Sequence, residues 1–232
     1  MRSHSPSHGH DEGRREGWLI EMSSARTAVI VLAAGRGTRF VGAGHKLAQI
    51  LGVATVLATT LENVLATRLD VVVVTTETLA PLARQSIAAR NVVVLPEADA
   101  PGHGGLGMGY SIASGVSASS DASGWLVLPG DMPLVQPETL LAVAARLAEH
   151  PVVYAQHKGR RGHPVGFSAE LYTELVTLTG DEGARRLVAR YPAFAVDVED
   201  AGTLIDVDTA EDLARLRSDA ALLRRPLAAT TS

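Results

Sequence analysis

A chain of 232 residues, 46% hydrophobic and 20% charged, has the size and composition of one globular domain with a sizeable core. Its net charge of −4 excludes the basic footprint of a nucleic-acid binder, and the absence of cysteine excludes disulfides, thiolate metal sites and a cysteine nucleophile. No apolar run approaches the roughly 18 residues of a membrane span, and no apolar stretch follows the N-terminus as a signal peptide requires, so the sequence reads as soluble and cytoplasmic.

Residues 1–25 hold Ser, His, Gly and charged residues, with His4, His8 and His10 close together. They read as a disordered leader, with a metal-binding tract as the alternative. A single folded domain is expected over residues 26–218 and a flexible tail over 219–232. Ala28–Leu32 is the first strand. Thr55–Thr67 follows as a helix, because Val56, Leu57, Leu61, Val64 and Leu65 recur at helical spacing. Val71–Val74 is a second strand, Leu79–Ala89 a helix with Pro81 in its first turn, and Asn91–Leu95 a third strand. Met108–Ser117 reads as a helix behind a glycine loop, and Trp125–Leu128 as a strand stopped by Pro129 and Gly130. Pro137–His150 is a helix and Val152–Ala155 a strand. Beyond the basic turn Lys158–Gly162, Pro164–Phe167 is expected to return antiparallel. Helices near Glu170–Leu178 and Asp181–Arg190, a strand at Phe194–Val198 and a helix N-capped by Thr209 complete the pattern.

Strands separated by helices of this length imply right-handed crossovers and a sheet covered on both faces. The runs AVIVL and VVVV lack polar alternation, as strands buried on both faces do. The expected class is three-layer α/β, with a mainly parallel, partly mixed sheet.

Several constellations can carry chemistry. Leu32-Ala33-Ala34-Gly35-Arg36-Gly37-Thr38-Arg39 is a glycine-rich turn after a buried strand, able to present backbone N–H groups to a polyphosphate, with Arg36, Arg39 and the nearby Lys46 adding charge. Neither a P-loop nor a dinucleotide fingerprint fits it; the alternative is a tight turn with solvated arginines. Asp131 follows a central strand, where open α/β sheets bind ligands, and its hard oxygens suit Mg²⁺; the alternative is an ordinary turn between prolines. Asp206 and Asp208 share a face of an extended segment, so both can address one metal unless one caps the following helix. Gly102–Ser111 is glycine-rich enough to lie against a ligand, with a flexible connection as the alternative. His163, Pro164, Asp181 and Arg185 are either ordinary surface or, with the basic turn, a place for an anionic acceptor.

In this order the motifs resemble the molybdenum cofactor nucleotidyltransferases, most closely the cytidylyltransferase branch. The matching pieces are Leu32–Arg39, Lys46, the glycine loop into Ser111 and Gly115, Leu128–Pro133, Gly162–Pro164, Gly180–Arg185 and Asp206–Asp212. The resemblance implies a Rossmann-like fold of the nucleotidyltransferase type and transfer of CMP from CTP to the molybdopterin phosphate, releasing pyrophosphate. It implies catalytic roles for Lys46, Arg39 and Asp131, and Mg²⁺ held by Asp131 and Asp208. Nucleotide contacts would come from Leu32, Ala33, Ala34, Gly35, Arg36, Gly37, Lys46, Gly107, Gly109, Ser111 and Asp131. Acceptor contacts would come from His163, Pro164, Asp181 and Arg185. A molybdenum hydroxylase or its maturation chaperone is the implied partner.

Ala34 stands where the guanylyl branch usually has glycine, which favours CTP over GTP. Two stretches depart from the family pattern: Phe40-Val41-Gly42 replaces a Met-Gly pair, and Val53-Ala54 a basic or proline-containing sequence. A guanylyl- or sugar-phosphate nucleotidyltransferase and a non-catalytic carrier of the pterin cofactor stay open as alternatives.

Overall fold

The β-branched runs become strands because their side chains can be buried on both sides of a sheet. The computed structural model describes residues 27–41, 44–97 and 107–218. The expected leader, the expected tail and Gly102–Leu106 of the glycine loop lie outside the described residues. In chain order, β1 (Thr27–Ala33) leads through a 3₁₀ turn at Lys46–Ala48 to a short ribbon, β2 (Ile50–Leu51) and β3 (Ala54–Thr55). Then come α1 (Val56–Ala66), β4 (Asp70–Thr76), α2 (Ala80–Ala83), β5 (Val92–Leu95), α3 (Gly107–Ala118), β6 (Gly124–Pro129) and α4 (Pro137–Ala144). A hairpin of β7 (Val152–His157) and β8 (Arg160–Ser168) is followed by α5 (Tyr172–Leu175), α6 (Arg185–Arg190), β9 (Ala193–Asp197) and α7 (Ala210–Ser218).

The main sheet has the order β5-β4-β1-β6-β8-β7-β9. Neighbours pair in parallel except at β8, which runs against both β6 and β7. The expectation of a mainly parallel, partly mixed sheet is met, and β8 is the strand that mixes it. From β1 the chain moves outward to β4 and β5, then crosses back to β6 on the other side of β1. The order therefore reverses between β1 and β6, where open α/β sheets leave a crevice at their carboxyl edge.

Alternate residues of each strand feed two cores. Val29, Val31, Val71, Val73, Leu126 and Leu128 pack under α1, α4 and α7. Ala28, Ile30, Val72, Val74, Trp125 and Val127 pack under α3, α5 and α6. Gly115 lets α3 approach closely, since a Cβ there would lie 2.5 Å from Ile30 Cγ2 and 3.0 Å from Val74 Cγ2.

Four expected helices are shorter: Glu170–Leu178 is α-helical only over Tyr172–Leu175, Asp181–Arg190 only over Arg185–Arg190, and two more are cut short against the sheet. Leu79–Ala89 is helical only over Ala80–Ala83, then tightens into turns such as Gln85 N to Leu82 O and Ser86 N to Ala83 O. Pro137–His150 is helical to Ala144 and then turns, which seats Leu147 against the bare faces of Gly124 and Gly166 at 3.1 and 3.0 Å from their virtual Cβ positions. Packing against the sheet overrides helical periodicity at both ends. The predicted cap of the last helix is present: the Asp212 amide donates to Thr209 Oγ1 (3.1 Å) and the Thr209 amide to Asp212 Oδ2 (2.9 Å). Among the described residues no helix is long and apolar enough to cross a membrane.

Candidate active site

The end of β6 is tied to the end of β1, because the Gly130 amide donates to Leu32 O at 2.8 Å. Helix α1 braces the turn that follows: Thr60 Oγ1 donates to Gly130 O (2.9 Å) and Asn63 Nδ2 to Pro133 O (2.9 Å). Asp131 is thus held at the carboxyl edge of the sheet. The Val207 amide donates to Asp131 O at 2.9 Å, bringing Asp206 and Asp208 alongside. One carboxylate oxygen from each of Asp131, Asp206 and Asp208 falls within 4.8 Å of the others.

Lys46 closes this cluster. Its Nζ donates to Asp131 Oδ2 at 2.6 Å and to Asp208 Oδ1 at 2.7 Å, while Arg39 pairs with Asp208 Oδ2 at 2.6 Å. Burial alone would lower the Lys46 pKa, but the charges and hydrogen bonds of Asp131 and Asp208 outweigh it and raise it above 10.5. For Asp208, burial pushes upward and is overcome by Lys46 and Arg39, leaving its carboxyl below the ordinary 3.8. Asp206 moves the other way, raised by burial and then by the charges of Asp208 and Asp131.

The donor set fits a hard divalent cation. Three carboxylates converge, and Asp131 Oδ1 is buried without a hydrogen-bond partner. Carboxylate oxygens with open positions for phosphate suit Mg²⁺ or Mn²⁺ rather than a thiophilic metal.

A cavity of about 540 Å³ opens beside this cluster, with Leu32 of β1 and Pro129 of β6 on its wall. Met108 and Ile112 of α3, Arg161 and His163 of β8, and Arg185 and Val188 of α6 contribute the rest of its character. Burial lowers the His163 pKa, with Val127 O and Asp131 acting against the shift and Arg161 adding to it, so the imidazole is neutral at pH 7; its Nδ1 is buried and unpartnered. The Arg161 guanidinium lies 4.6 Å from the Tyr154 ring centre, and burial lowers its pKa.

The structure therefore brings together Arg39, Lys46, Asp131 and Asp208 around one point, and Leu32, His163 and Arg185 around the adjoining cavity. Pro164 is buried beside His163, while Asp181 is exposed; neither lies on the cavity wall. Ala33, Ala34, Gly35, Arg36 and Gly37 form the end of β1 and the turn beyond it, and a Cβ at Gly35 would meet nothing within 4 Å. Packing does not require glycine there, which leaves room for an approaching ligand. Gly107 and Gly109 are different. A Cβ at Gly107 would overlap the Gly180 carbonyl group, one at Gly109 would lie 2.6 Å from Thr179 O, and the Gly109 amide donates to Gly180 O at 2.8 Å. Their bare faces are thus occupied by the 179–180 backbone, joining the α3 start to the Gly180–Arg185 segment. Ser111 Oγ points back along its own helix, 3.5 Å from Gly107 O. The resemblance implies a metal on Asp131 and Asp208, the spacing Asp206-x-Asp208 offers both of its carboxylates to one metal, and the structure brings all three together. His45 carried no motif and was missed, whereas Arg161 belongs to the basic turn that the sequence offered to an anionic acceptor.

Converging carboxylates beside a lysine, at the crevice of an open α/β sheet, are equipment for handling a polyphosphate chain, and the class so defined is nucleotidyltransferase. The chain belongs to the family of the MobA-like NTP transferase domain, whose model matches residues 29–195. It is 35% identical over 116 residues to the purine catabolism protein PucB of Bacillus subtilis (strain 168), a match covering 48% of this chain and 56% of that relative, so the chain spans little more than half the relative's length. Among solved structures it is similar to Rv0371c from Mycobacterium tuberculosis H37Rv, at 26% identity and TM-score 0.71, covering 83% of this chain and 98% of that one. The same mycobacterial protein in complex with manganese is similar at 27% identity and TM-score 0.67, covering 84% of this chain and 99% of that one.

Proposed function

We propose that this chain is a cytidylyltransferase that moves CMP from CTP to the phosphate of molybdopterin, with Mg²⁺ as its ion. The observation that carries the reading is the position of the cavity, whose Leu32 and Pro129 wall adjoins both the Gly35–Arg39 turn and Asp131. An acceptor in that cavity can direct its phosphate at a nucleotide α-phosphorus held over the carboxylates. The apolar residues Met108, Ile112 and Val188 suit a flat heterocycle, and Arg161, Arg185 and neutral His163 suit its polar edges and phosphate. Pro164 fixes the His163 segment, and Asp181 would act from the exposed rim. The MobA-like family, together with the resemblance of the motifs to the molybdenum cofactor nucleotidyltransferases, supports a molybdenum cofactor acceptor. A molybdenum hydroxylase or its maturation chaperone is then the recipient of the product.

An oxygen of the acceptor phosphate attacks the α-phosphorus; that P–O bond forms as the bond from the α-phosphorus to the leaving oxygen breaks, and pyrophosphate departs. A phosphate monoester has a second pKa of about 6, so it is largely dianionic at pH 7 and needs no general base. Positioning and charge neutralisation do the remaining work. The Gly35–Arg39 amides cradle the leaving phosphates, and Lys46 and Arg39 meet the charge that builds on them. Asp131, with Asp206 and Asp208, would hold the divalent ion, which supplies charge neutralisation to the triphosphate. Ala34 narrows the space beside the base relative to glycine and favours a pyrimidine.

The test is a panel of CTP, GTP, ATP and UTP with molybdopterin as acceptor and pyrophosphate release as the readout. CTP is expected to be used at least about tenfold better than GTP in kcat/KM, the order of selectivity a site with unpaired polar groups imposes on the wrong base. Preferential use of GTP would replace the cytidylyl reading by a guanylyl one. Cofactor binding without pyrophosphate release would indicate a carrier.

A further inference from the structure

The turn leaving β1 is closed by the Phe40 amide donating to Gly37 O at 3.0 Å, and the Arg39–Asp208 pair ties its far end to the carboxylates. Gly35 has open space where a side chain would stand, and Gly37 adopts φ +60°. His45 reaches this turn from the far side: its Nε2 lies 2.9 Å from Gly35 O. Its other ring nitrogen, Nδ1, accepts the Leu47 amide proton at 3.2 Å and so caps the 3₁₀ turn that begins at Lys46. A carbonyl only accepts and an amide only donates, so Nε2 must carry the proton and Nδ1 must keep its lone pair free. The two partners together select one neutral tautomer. Gly37 makes the bridge possible, because a Cβ there would sit 3.2 Å from His45 Nε2 and 3.5 Å from its Cδ2.

We propose that His45 is a positioning residue that ties the Gly35–Arg39 phosphate turn to the Lys46 turn, so that loop amides and lysine meet one triphosphate as a preassembled unit. This rests on the reading of the turn as a triphosphate cradle. Without the bridge, the Gly35 end of the loop must be ordered by the ligand itself, and part of the binding free energy is lost in doing so. Specificity is unaffected, because the bridge touches no base-selecting group.

Two variants separate the bridge from the cap. His45→Ala loses both. His45→Asn keeps the cap, since asparagine at an N-cap accepts the amide two residues on, but its side chain is too short to reach Gly35 O. Binding of inorganic tripolyphosphate with Mg²⁺, measured calorimetrically, is expected to weaken about 3- to 10-fold in both, the scale of one net hydrogen bond. The melting temperature of His45→Asn should stay at the wild-type value, so the loss reports positioning and not unfolding. Wild-type affinity in His45→Asn would overturn the proposal and leave only a cap. Nitrogen-15 spectra of the wild-type imidazole give an independent measure, expected to show the Nε2–H tautomer with Nδ1 accepting. An Nδ1–H or doubly protonated ring at neutral pH would also overturn it. A wild-type chain that bound no tripolyphosphate would refute the cradle reading, whereas the imidazole spectrum would still judge the bridge.

Discussion

Replacing Lys46 by methionine keeps the unbranched stem of the side chain out to Cε and removes the charged Nζ. In the native chain Nζ makes two hydrogen bonds to carboxylates, at 2.6 and 2.7 Å, with the side chains of Lys46 and both aspartates only 12% and 16% exposed. Charge-assisted bonds of this kind contribute about 1.5–3 kcal/mol each, and some of that is screened at a site open to solvent on one side. Lys46→Met leaves Asp131, Asp206 and Asp208 crowded with Arg39 alone to offset them, for a loss of about 2–4 kcal/mol. In a domain of this size the melting temperature should fall by roughly 4–16 °C. The dependence on pH has a definite sign. The Asp208 pKa is depressed, so its stabilisation is present above 3.8 and fades as pH falls through the lower folded value. The Lys46 pKa is raised, so its stabilisation is present below 10.5 and fades as pH rises through the higher folded value. The gap between wild type and Lys46→Met should therefore be widest between about pH 5 and 9 and narrow at either extreme. In the transfer assay kcat should drop about 10²–10³-fold with a smaller change in KM, as when a donor to developing charge is lost. Thermal melts across pH and steady-state kinetics measure both. Equal melting temperatures at pH 7, or a variant in which only KM rises, would refute the reasoning.

Asp131→Asn removes a carboxylate that is tied to β1 and α1 through its neighbours, so the fold should persist while turnover with Mg²⁺ or Mn²⁺ falls to a few per cent or less; circular dichroism and pyrophosphate release check the two halves. Ala34→Gly should narrow the preference for CTP over GTP without altering the melting temperature by more than about 2 °C, the scale expected of one small substitution. Gly115→Val forces a branched side chain into the contact of α3 with Ile30 and Val74, and should destabilise by about 1–3 kcal/mol in urea unfolding, with no direct effect on nucleotide choice.

Much of this molecule is determined by short-range pattern. Uninterrupted β-branched runs such as Val71–Val74 can be nothing but strands buried on both faces, and the Thr209–Asp212 spacing specifies a cap that needs only four consecutive residues to form. The glycine turn after β1 and Asp131 after β6 were also legible, because a strand end followed by glycine or aspartate places those groups at the carboxyl edge wherever the strand lies. Tertiary structure alone decided which edges coincide. Val207 reaches the Asp131 carbonyl only because the chain returns from α6 and β9 to the crevice, and that contact, spanning more than 70 residues, is what adds Asp206 to the carboxylates. The same holds for Gly107 and Gly109: their composition suggested approach to a ligand, but the 179–180 backbone arrives from elsewhere in the chain and fills the space. It holds for the truncated helices too, where Leu147 leaves helical geometry to fit between Gly124 and Gly166. Periodicity and capping are local energies of about a kilocalorie per residue or less, whereas packing between distant segments removes whole side chains from water at about 1.5–3 kcal/mol each. Where the two disagree, packing sets the conformation, and the partners it brings together cannot be read from residues adjacent in the chain.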